Sequence, residues 1–241
     1  MYRCLVCASV FAAYVPVCSY CWEAHSLVLL PQRARAEVDG EVELTTAREL
    51  ARTQYQDAKL PAYPGLELRR GALVVVFGRR GSGKSTFVLR ALDSLAAPTL
   101  LLSIEEPAGP SLGARLTRVG AKDDKLLVCS RATVRQLVDI VRQRKIAALA
   151  VDSVQRAMFE GRDLRHLLNV LPSLQLVLAV SQINAHGDVR GGEELAHESD
   201  VLLEIADLQW IVQKSRYQPD GASGAVLSAQ SAPEEDDHVP A

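Results

Sequence analysis

Nine consecutive residues have the types and spacing of a phosphate-binding loop, or P-loop. Residues 78–86 read Gly-Arg-Arg-Gly-Ser-Gly-Lys-Ser-Thr, between an apolar run at 73–77 and a helical stretch at 86–95. In such a loop the backbone N–H groups and the helix N-terminus cradle phosphate oxygens, the lysine reaches the β- and γ-phosphates, and the serine ligates Mg²⁺. A plain glycine turn at a strand end is the alternative, but the motif is complete and correctly flanked. The predicted binding residues are Gly78, Gly81, Ser82, Gly83, Lys84, Ser85 and Thr86.

Two polar residues at the ends of apolar runs could complete a nucleotide site. Asp152 follows the run 147–151 and is predicted to be the second Mg²⁺ partner, unless it is only a helix cap. Gln182 follows the run 174–180 and is predicted to sense the γ-phosphate, unless it is an ordinary polar strand end. In parallel α/β sheets the carboxyl ends of strands meet at the ligand-binding edge, so these side chains are expected to converge there.

A pair of carboxylates supplies the candidate for activating water. ATP hydrolysis needs a group that orients or deprotonates the attacking water. Glu105 and Glu106 follow the apolar run 99–103, and we expect that strand to neighbour the P-loop strand. Glu105 is the predicted catalytic carboxylate and Glu106 the reserve, whereas a solvated charge pair is the alternative.

Four cysteines near the N-terminus have metal-binding spacing. They form two C-x2-C pairs separated by ten residues, at Cys4, Cys7, Cys18 and Cys21. Two such knuckles would close a tetrahedral structural zinc site, and metal binding would supply the folding energy of so short a segment. A disulfide framework is the alternative, which a reducing cytosol disfavours. Cys129, within an apolar run, is predicted to be an inert strand residue.

Composition excludes some classes of protein and leaves others open. The 241 residues are 48% hydrophobic with a net charge of −2, enough for one domain and a small appendage. Because Glu234 to Asp237 carry four negative charges, the remainder is +2 (−2 + 4), so nucleic acid would need a local basic patch. No run is long enough to span a membrane. Leu5 to Val17 faintly resembles a secretory signal, but zinc-type cysteines and an ATP site favour the cytoplasm.

The order of apolar segments predicts the fold class. Strand-like and helix-like runs alternate from residue 73 onward, with two further β segments at 201–205 and 209–213. That rhythm predicts an α/β protein with a mostly parallel twisted sheet covered by helices on both faces. Before it, residues 45–58 have helical character.

Several short segments resemble, in order, those of the bacterial RadA (Sms) family, a branch of the RecA-like ATPases. The resemblance covers the chain to about residue 229 and begins with the cysteine spacing. Residues 101–106, 151–155, 194–200 and 214–217 look like the family's YVSGEES, IDSIQ, LEHLVD and KNRF segments. The resemblance implies a zinc ribbon at 1–28, a linker or helical segment at 29–62, a RecA-like P-loop ATPase domain at 63–229 and an acidic disordered tail at 230–241.

The resemblance also implies an activity and partners. Members form hexameric rings with ATP sites between subunits, bind single-stranded DNA and drive branch migration in recombination and repair, with recombinase or helicase partners. By that resemblance Lys214 and Arg216 would act in trans, toward the neighbour's γ-phosphate or coupled DNA, unless they are a solvated basic pair. The loops 155–163 and 184–192 would face DNA, with Arg156, Arg162 and Arg190 as phosphate contacts.

The chain departs from the family pattern at four places. We expect a shortened relative that lacks the family's Lon-protease-like domain. Arg79 and Arg80 stand in the P-loop where the family has an acidic residue and proline, so they are expected to contact phosphate or a neighbouring subunit. Ala185 replaces an expected lysine, and Ala8 replaces the knuckle glycine.

Two other functions remain open on the sequence. A RecA-fold ATP-driven switch or assembly factor could act on a protein partner rather than on DNA. A catalytically dead scaffold is the third, and the intact set of Lys84, Ser85, Glu105 and Asp152 argues against it.

Overall fold

The computed structural model describes residues 2–4, 10–11, 27–29, 46–48, 54–121, 124–184, 189 and 192–227. The chain forms two compact units, Met1–Gln54 and Tyr55–Ala241. The first contains a three-stranded antiparallel sheet of order β2-β1-β3. Its strands are β1 (Tyr2–Cys4), β2 (Val10–Phe11) and β3 (Leu27–Leu29). Cys7, Cys18 and Cys21 lie outside the described residues, as does the side chain of Cys4, so the zinc site stays a prediction.

The second unit is built on an eight-stranded sheet of order β11-β10-β9-β4-β8-β7-β5-β6. The strands from β9 to β6 in that order are mutually parallel, and β10 and β11 extend the sheet in antiparallel fashion. The strands are β4 (Ala72–Phe77), β5 (Thr99–Ser103), β6 (Leu126–Cys129), β7 (Ala148–Asp152), β8 (Leu176–Val180), β9 (Val201–Ala206), β10 (Gln209–Ser215) and β11 (Ser223–Ala225).

Helices cover both faces of this sheet. They are α1 (Lys84–Asp93), α2 (Pro110–Arg118), α3 (Val134–Arg144), α4 (Val154–Ala157), α5 (Gly161–Val170) and α6 (Gly192–Glu198). Leu73 of β4 packs in one core with Leu137 of α3 and Leu164 of α5, whereas Val74 packs in the other with Phe87 of α1. Since alternate residues of a strand point to opposite faces, a run apolar at every position is what a sheet buried on both sides requires. The predicted α/β class and mostly parallel, doubly covered sheet are confirmed.

Three local predictions are wrong. The strand before Glu105 does not neighbour the P-loop strand, because β8 and β7 lie between β4 and β5. The predicted helix over 45–58 is absent from its second half, because residues 54–60 carry no helix and Asp57 forms a β-bridge with Arg69. The expected loop at 155–163 consists instead of α4, a short connection and the start of α5.

Leu60 and Cys129 each have a structural environment that bears on a sequence prediction. Leu60, in the segment expected to link the domains, is buried in the core of the second unit. Cys129 lies on the edge strand β6 and is half-buried, and burial raises the pKa of its thiol. Among the described residues, none of the helices combines the length and apolar character needed to cross a bilayer.

Candidate active site at the carboxyl edge of the sheet

The P-loop connects β4 to α1, and two of its glycines are required by close contacts. Gly78 has φ of 149°, and a Cβ there would lie 2.3 Å from the Ile205 carbonyl oxygen of β9. Gly83 has φ of 105°, and a Cβ there would lie 2.8 Å from Leu208 Cδ2. Residues with a side chain rarely adopt such φ values. The loop is therefore shaped by its own backbone and by the β9–β10 turn beside it.

A Gly78→Ala variant is expected to lose at least about 3 kcal/mol of unfolding free energy, because its methyl group must displace backbone of a core strand. The matched control is Gly81→Ala, since Gly81 has φ of 79° but nothing within 4 Å of its added Cβ. That control should cost only about 1 kcal/mol, the penalty of the left-handed backbone. Urea denaturation followed by circular dichroism measures both, and equal losses would contradict the contact with β9.

Lys84 is the first residue of α1 and lies buried inside the loop. Its Nζ donates to the carbonyl oxygens of Gly78 at 2.9 Å and Arg79 at 2.7 Å. Burial lowers the pKa of Lys84, while the charges of Asp152 and Glu105 act in the opposite direction. The ammonium group is therefore held at the centre of the loop by contacts that a phosphate oxygen could replace.

Asp152 meets the P-loop through the next residue of α1. Ser85 Oγ donates to Asp152 Oδ2 at 2.7 Å. Burial raises the pKa of Asp152; the Ser85 hydrogen bond and Lys84 lower it, while Glu105 adds to the rise. A hydroxyl and a carboxylate oxygen at this separation are hard ligands of the kind that Mg²⁺ prefers.

Glu105 reaches this edge although two strands lie between β5 and β4. After β5 the backbone crosses the end of β7, where Ile104 N–H and Glu105 N–H donate to the Asp152 carbonyl at 2.8 and 3.3 Å. Glu105 Oε1 then accepts from Ser153 Oγ and from Gln182 Nε2, both at 2.8 Å. The hydrogen bonds thus join the ends of β5, β7 and β8 into one polar cluster.

Glu106 points into a different set of contacts. It forms an ion pair with Arg115 of α2, with 2.7 Å between Glu106 Oε2 and Arg115 Nε. Ser111 also donates to its other carboxylate oxygen, and Ser103 Oγ donates to its backbone carbonyl at 2.6 Å. Glu106 therefore ties α2 to the end of β5, whereas Glu105 faces Asp152 and Gln182.

Two residues of this cluster were missed by the sequence reasoning. Ser153 Oγ donates to Glu105. Gln155 Nε2 donates at 2.9 Å to Ser181 Oγ, on the residue that precedes Gln182. Both stand in the segment 151–155, which resembles the family's IDSIQ segment. Their position directly after a strand-end carboxylate was the available signal, because residues there lie at the same sheet edge.

Lys214 and Arg216 lie far from the P-loop of their own chain. Arg216 N–H donates to the Asp200 carbonyl at 3.1 Å, and Asp200 N–H donates to the Leu73 carbonyl at 2.8 Å, near the start of β4. The P-loop follows Phe77, four residues after Leu73, so about 13 Å of strand β4 separates the basic pair from the P-loop. Lys214 Nζ donates to the carbonyls of Ala196 and Ser199 at 2.9 and 3.2 Å, at the end of α6.

The structure describes all but one of the candidate arginines for phosphate contacts, and those described are exposed. Arg156 of α4 is exposed, and Arg162 is exposed and paired with Glu160. Arg190 lies outside the described residues, as does most of the stretch 185–191. Arg79 and Arg80 are both exposed on the P-loop.

Known proteins similar to this chain point to one group, although no family model matches it. The protein named DNA repair protein RadA of Aquifex aeolicus is 26% identical over 152 residues, 57% of this chain and 34% of that protein. The same-named protein of Pseudomonas aeruginosa is 26% identical over 174 residues, 66% of this chain and 38% of that protein. The same-named protein of Haemophilus influenzae is 26% identical over 170 residues, 64% of this chain and 37% of that protein. The chain thus spans little more than a third of these relatives. Together with the P-loop sheet, which is consistent with a RecA-like core, these matches relate the chain to the RadA/Sms proteins.

Proposed function

We propose that the chain is a RecA-like ATP hydrolase that couples hydrolysis to single-stranded DNA in recombination and repair. The observation that carries the hydrolase is the meeting of Lys84, Ser85, Asp152 and Glu105 at one edge of a parallel sheet, which is where such sheets bind ligands. The DNA part rests on the relatives, which are named DNA repair proteins.

The loop fits a phosphate chain on its own geometry. The buried hydroxyl of Ser82 has no hydrogen-bond partner among the described residues, so it is available to a phosphate oxygen. The N-terminus of α1 adds the partial positive charge of its backbone N–H groups. Ser85 and Asp152 would hold Mg²⁺, which would neutralise charge on the β- and γ-phosphate oxygens.

Each chain residue then has a distinct task. Lys84 exchanges its bonds to loop carbonyls for phosphate oxygens, and so stabilises negative charge that develops at the γ-phosphate. Glu105 accepts a hydrogen bond from the attacking water and orients it. Gln182 donates to Glu105. If the Gln182 amide moved in response to the γ-phosphate, both the position of the water-activating carboxylate and the conformation of the chain segment after β8 would change.

The distant basic pair supports a site shared between subunits. Because Arg216 lies near the start of β4, it serves a γ-phosphate only when a second copy presents its P-loop to it. Its side chain is 57% exposed, as this contact requires. Lys214 is engaged at the end of its own α6, so Arg216 is the better candidate for the trans contact. We therefore propose a homo-oligomer, with a ring as the expected form.

Single-stranded DNA is expected to raise ATP turnover, because DNA binding would change the segments that follow β7 and β8 and hence the positions of Glu105 and Gln182. Phosphate release with and without a single-stranded oligonucleotide measures this. The half-saturating DNA concentration should rise with salt, since phosphate contacts release counterions.

The control for this assay is Lys84→Ala with DNA present, which should show no turnover. Turnover that DNA leaves unchanged at low salt, from a wild-type protein that hydrolyses ATP, would contradict DNA coupling. Recovery of a stable protein partner in that case would favour the alternative of an ATP-driven switch or assembly factor.

A further inference from the structure

A buried carboxylate, Asp200, lies between two arginines at the end of the sheet opposite the P-loop. Its side chain is 5% exposed. Asp200 Oδ2 accepts from Leu73 N–H at 2.8 Å and from Arg165 Nη2 at 2.9 Å. Asp200 Oδ1 lies 3.2 Å from Arg216 Nη1. The two carboxylate oxygens thus have different partners: Oδ2 is held from β4 and α5, and Oδ1 faces the arginine that directly follows β10.

Burial of this charge needs an explanation beyond stability. A buried ion pair repays its desolvation only when the geometry is good and the remaining lone pairs are satisfied, and apolar residues often serve stability as well. Here the backbone N–H of Leu73 and the guanidinium of Arg165 satisfy one oxygen and fix the plane of the carboxylate. The other oxygen is left directed at Arg216, the most exposed member of the cluster.

The contacts with Asp200 anchor Arg216 and leave the other N–H donors of its guanidinium available to a ligand. A guanidinium carries five N–H donors in a rigid fork, and a free arginine populates many rotamers. The Arg216 guanidinium forms an ion pair with Asp200, and the Arg216 backbone N–H donates to the Asp200 carbonyl at 3.1 Å. Arg165 is in turn held by the Gly71 carbonyl at 3.4 Å and by the Glu198 carbonyl.

We propose that Asp200, braced by Arg165, is a positioning residue that preorganises Arg216 for contact with the γ-phosphate bound by a neighbouring copy. This inference rests on the proposed function, because Arg216 has no phosphate to reach within its own chain. Preorganised donors stabilise transition-state charge without reorganising during the reaction. Loss of Asp200 is expected to lower kcat roughly 10- to 100-fold, the scale of a misplaced catalytic group, with nucleotide affinity unchanged.

The test mixes two full-length variants, one inactive and one of lowered turnover, so that a defect in the basic pair is separated from a defect in the P-loop. Lys84→Ala cannot use its own P-loop but can supply Arg216 to a neighbour. Asp200→Asn keeps its P-loop but loses the brace. Mixing them should restore ATP turnover at about a quarter of the shared sites if subunits assort randomly. Mixing Asp200→Asn with Arg216→Ala should restore none, because both lack a working arginine.

Controls make each outcome decisive. Asp57→Asn is the matched aspartate change, since Asp57 pairs with Arg69 on the surface of the same unit, and it should keep wild-type turnover. If Asp200→Asn does not fold by circular dichroism, Arg165→Gln removes the same brace from α5 and should give the same pattern. The positioning role is overturned if a folded variant of either kind keeps full turnover, or gains no turnover when mixed with Lys84→Ala.

A reference mixture of Lys84→Ala with Arg216→Ala separates this inference from the proposed function. If ATP turnover recovers in the reference mixture but not when Lys84→Ala is mixed with the Asp200 or Arg165 variant, only the positioning role is overturned. No recovery in the reference mixture overturns the trans contact of Arg216 and the positioning role with it. Recovery in both, with unchanged nucleotide affinity of Asp200→Asn, supports the proposal.

Discussion

A Lys84→Ala variant is expected to lose ATP turnover entirely and to bind ATP at least about 100-fold more weakly. The ammonium group sits at the centre of the P-loop, bonded to two loop carbonyls that are its substitutes for phosphate oxygens. Its removal takes away a buried positive charge that offsets the negative charges of Asp152 and Glu105, so the phosphates meet a more negative site. Phosphate release and binding of a fluorescent ATP analogue measure the two effects.

The same variant should remain folded, because the contacts of Lys84 lie within the loop and the residue belongs to neither hydrophobic core. Lys59→Ala removes an equal charge from an exposed position of the same unit and should leave binding and turnover unchanged. A melting temperature close to the wild type separates loss of function from loss of structure. Wild-type ATP affinity in Lys84→Ala would show that the loop does not bind phosphate through this lysine.

Local motifs were readable from the sequence because their chemistry depends on neighbouring residues. The P-loop lies within nine residues, and the positive φ values of Gly78 and Gly83 are the reason that those positions are glycine. Asp152 was readable as a carboxylate that ends an apolar strand. The alternation of segments was enough for the fold class, since a run apolar at every position predicts a strand buried on both faces.

Long-range contacts were not readable, because no periodicity encodes them. The sequence predicts that the strand before Glu105 adjoins β4, yet two strands separate them and the chain reaches the site by crossing the end of β7. Lys214 looked free to act on a neighbour, but α6 supplies carbonyls that hold it. Asp200 gave no signal of its own, since its partners Leu73 and Arg165 are 127 and 35 residues distant in sequence.

A Glu105→Gln variant is expected to bind ATP normally but to hydrolyse it roughly 100- to 1,000-fold more slowly, the usual loss for a positioned general base. Glutamine keeps the oxygen that accepts from Ser153 and Gln182, so the polar cluster keeps its shape. It loses the negative charge that would draw a proton from the attacking water. The change also removes a charge that raises the pKa of Asp152, so the Mg²⁺ binding proposed for that carboxylate should not be weakened.

Glu106→Gln is the matched control, since it is the adjacent residue with the same change of charge. Its ion pair with Arg115 holds α2 against β5, so this variant should lose some stability and keep its turnover per folded molecule. Single-turnover hydrolysis beside a nucleotide-binding titration distinguishes the two carboxylates. The assignment is wrong if Glu105→Gln hydrolyses ATP at the wild-type rate, and a slow Glu106→Gln would then transfer the water-orienting role to the neighbour. A fast Glu106→Gln with a slow, ATP-binding Glu105→Gln would place the reacting water on the side of the cluster that contains Asp152 and Gln182.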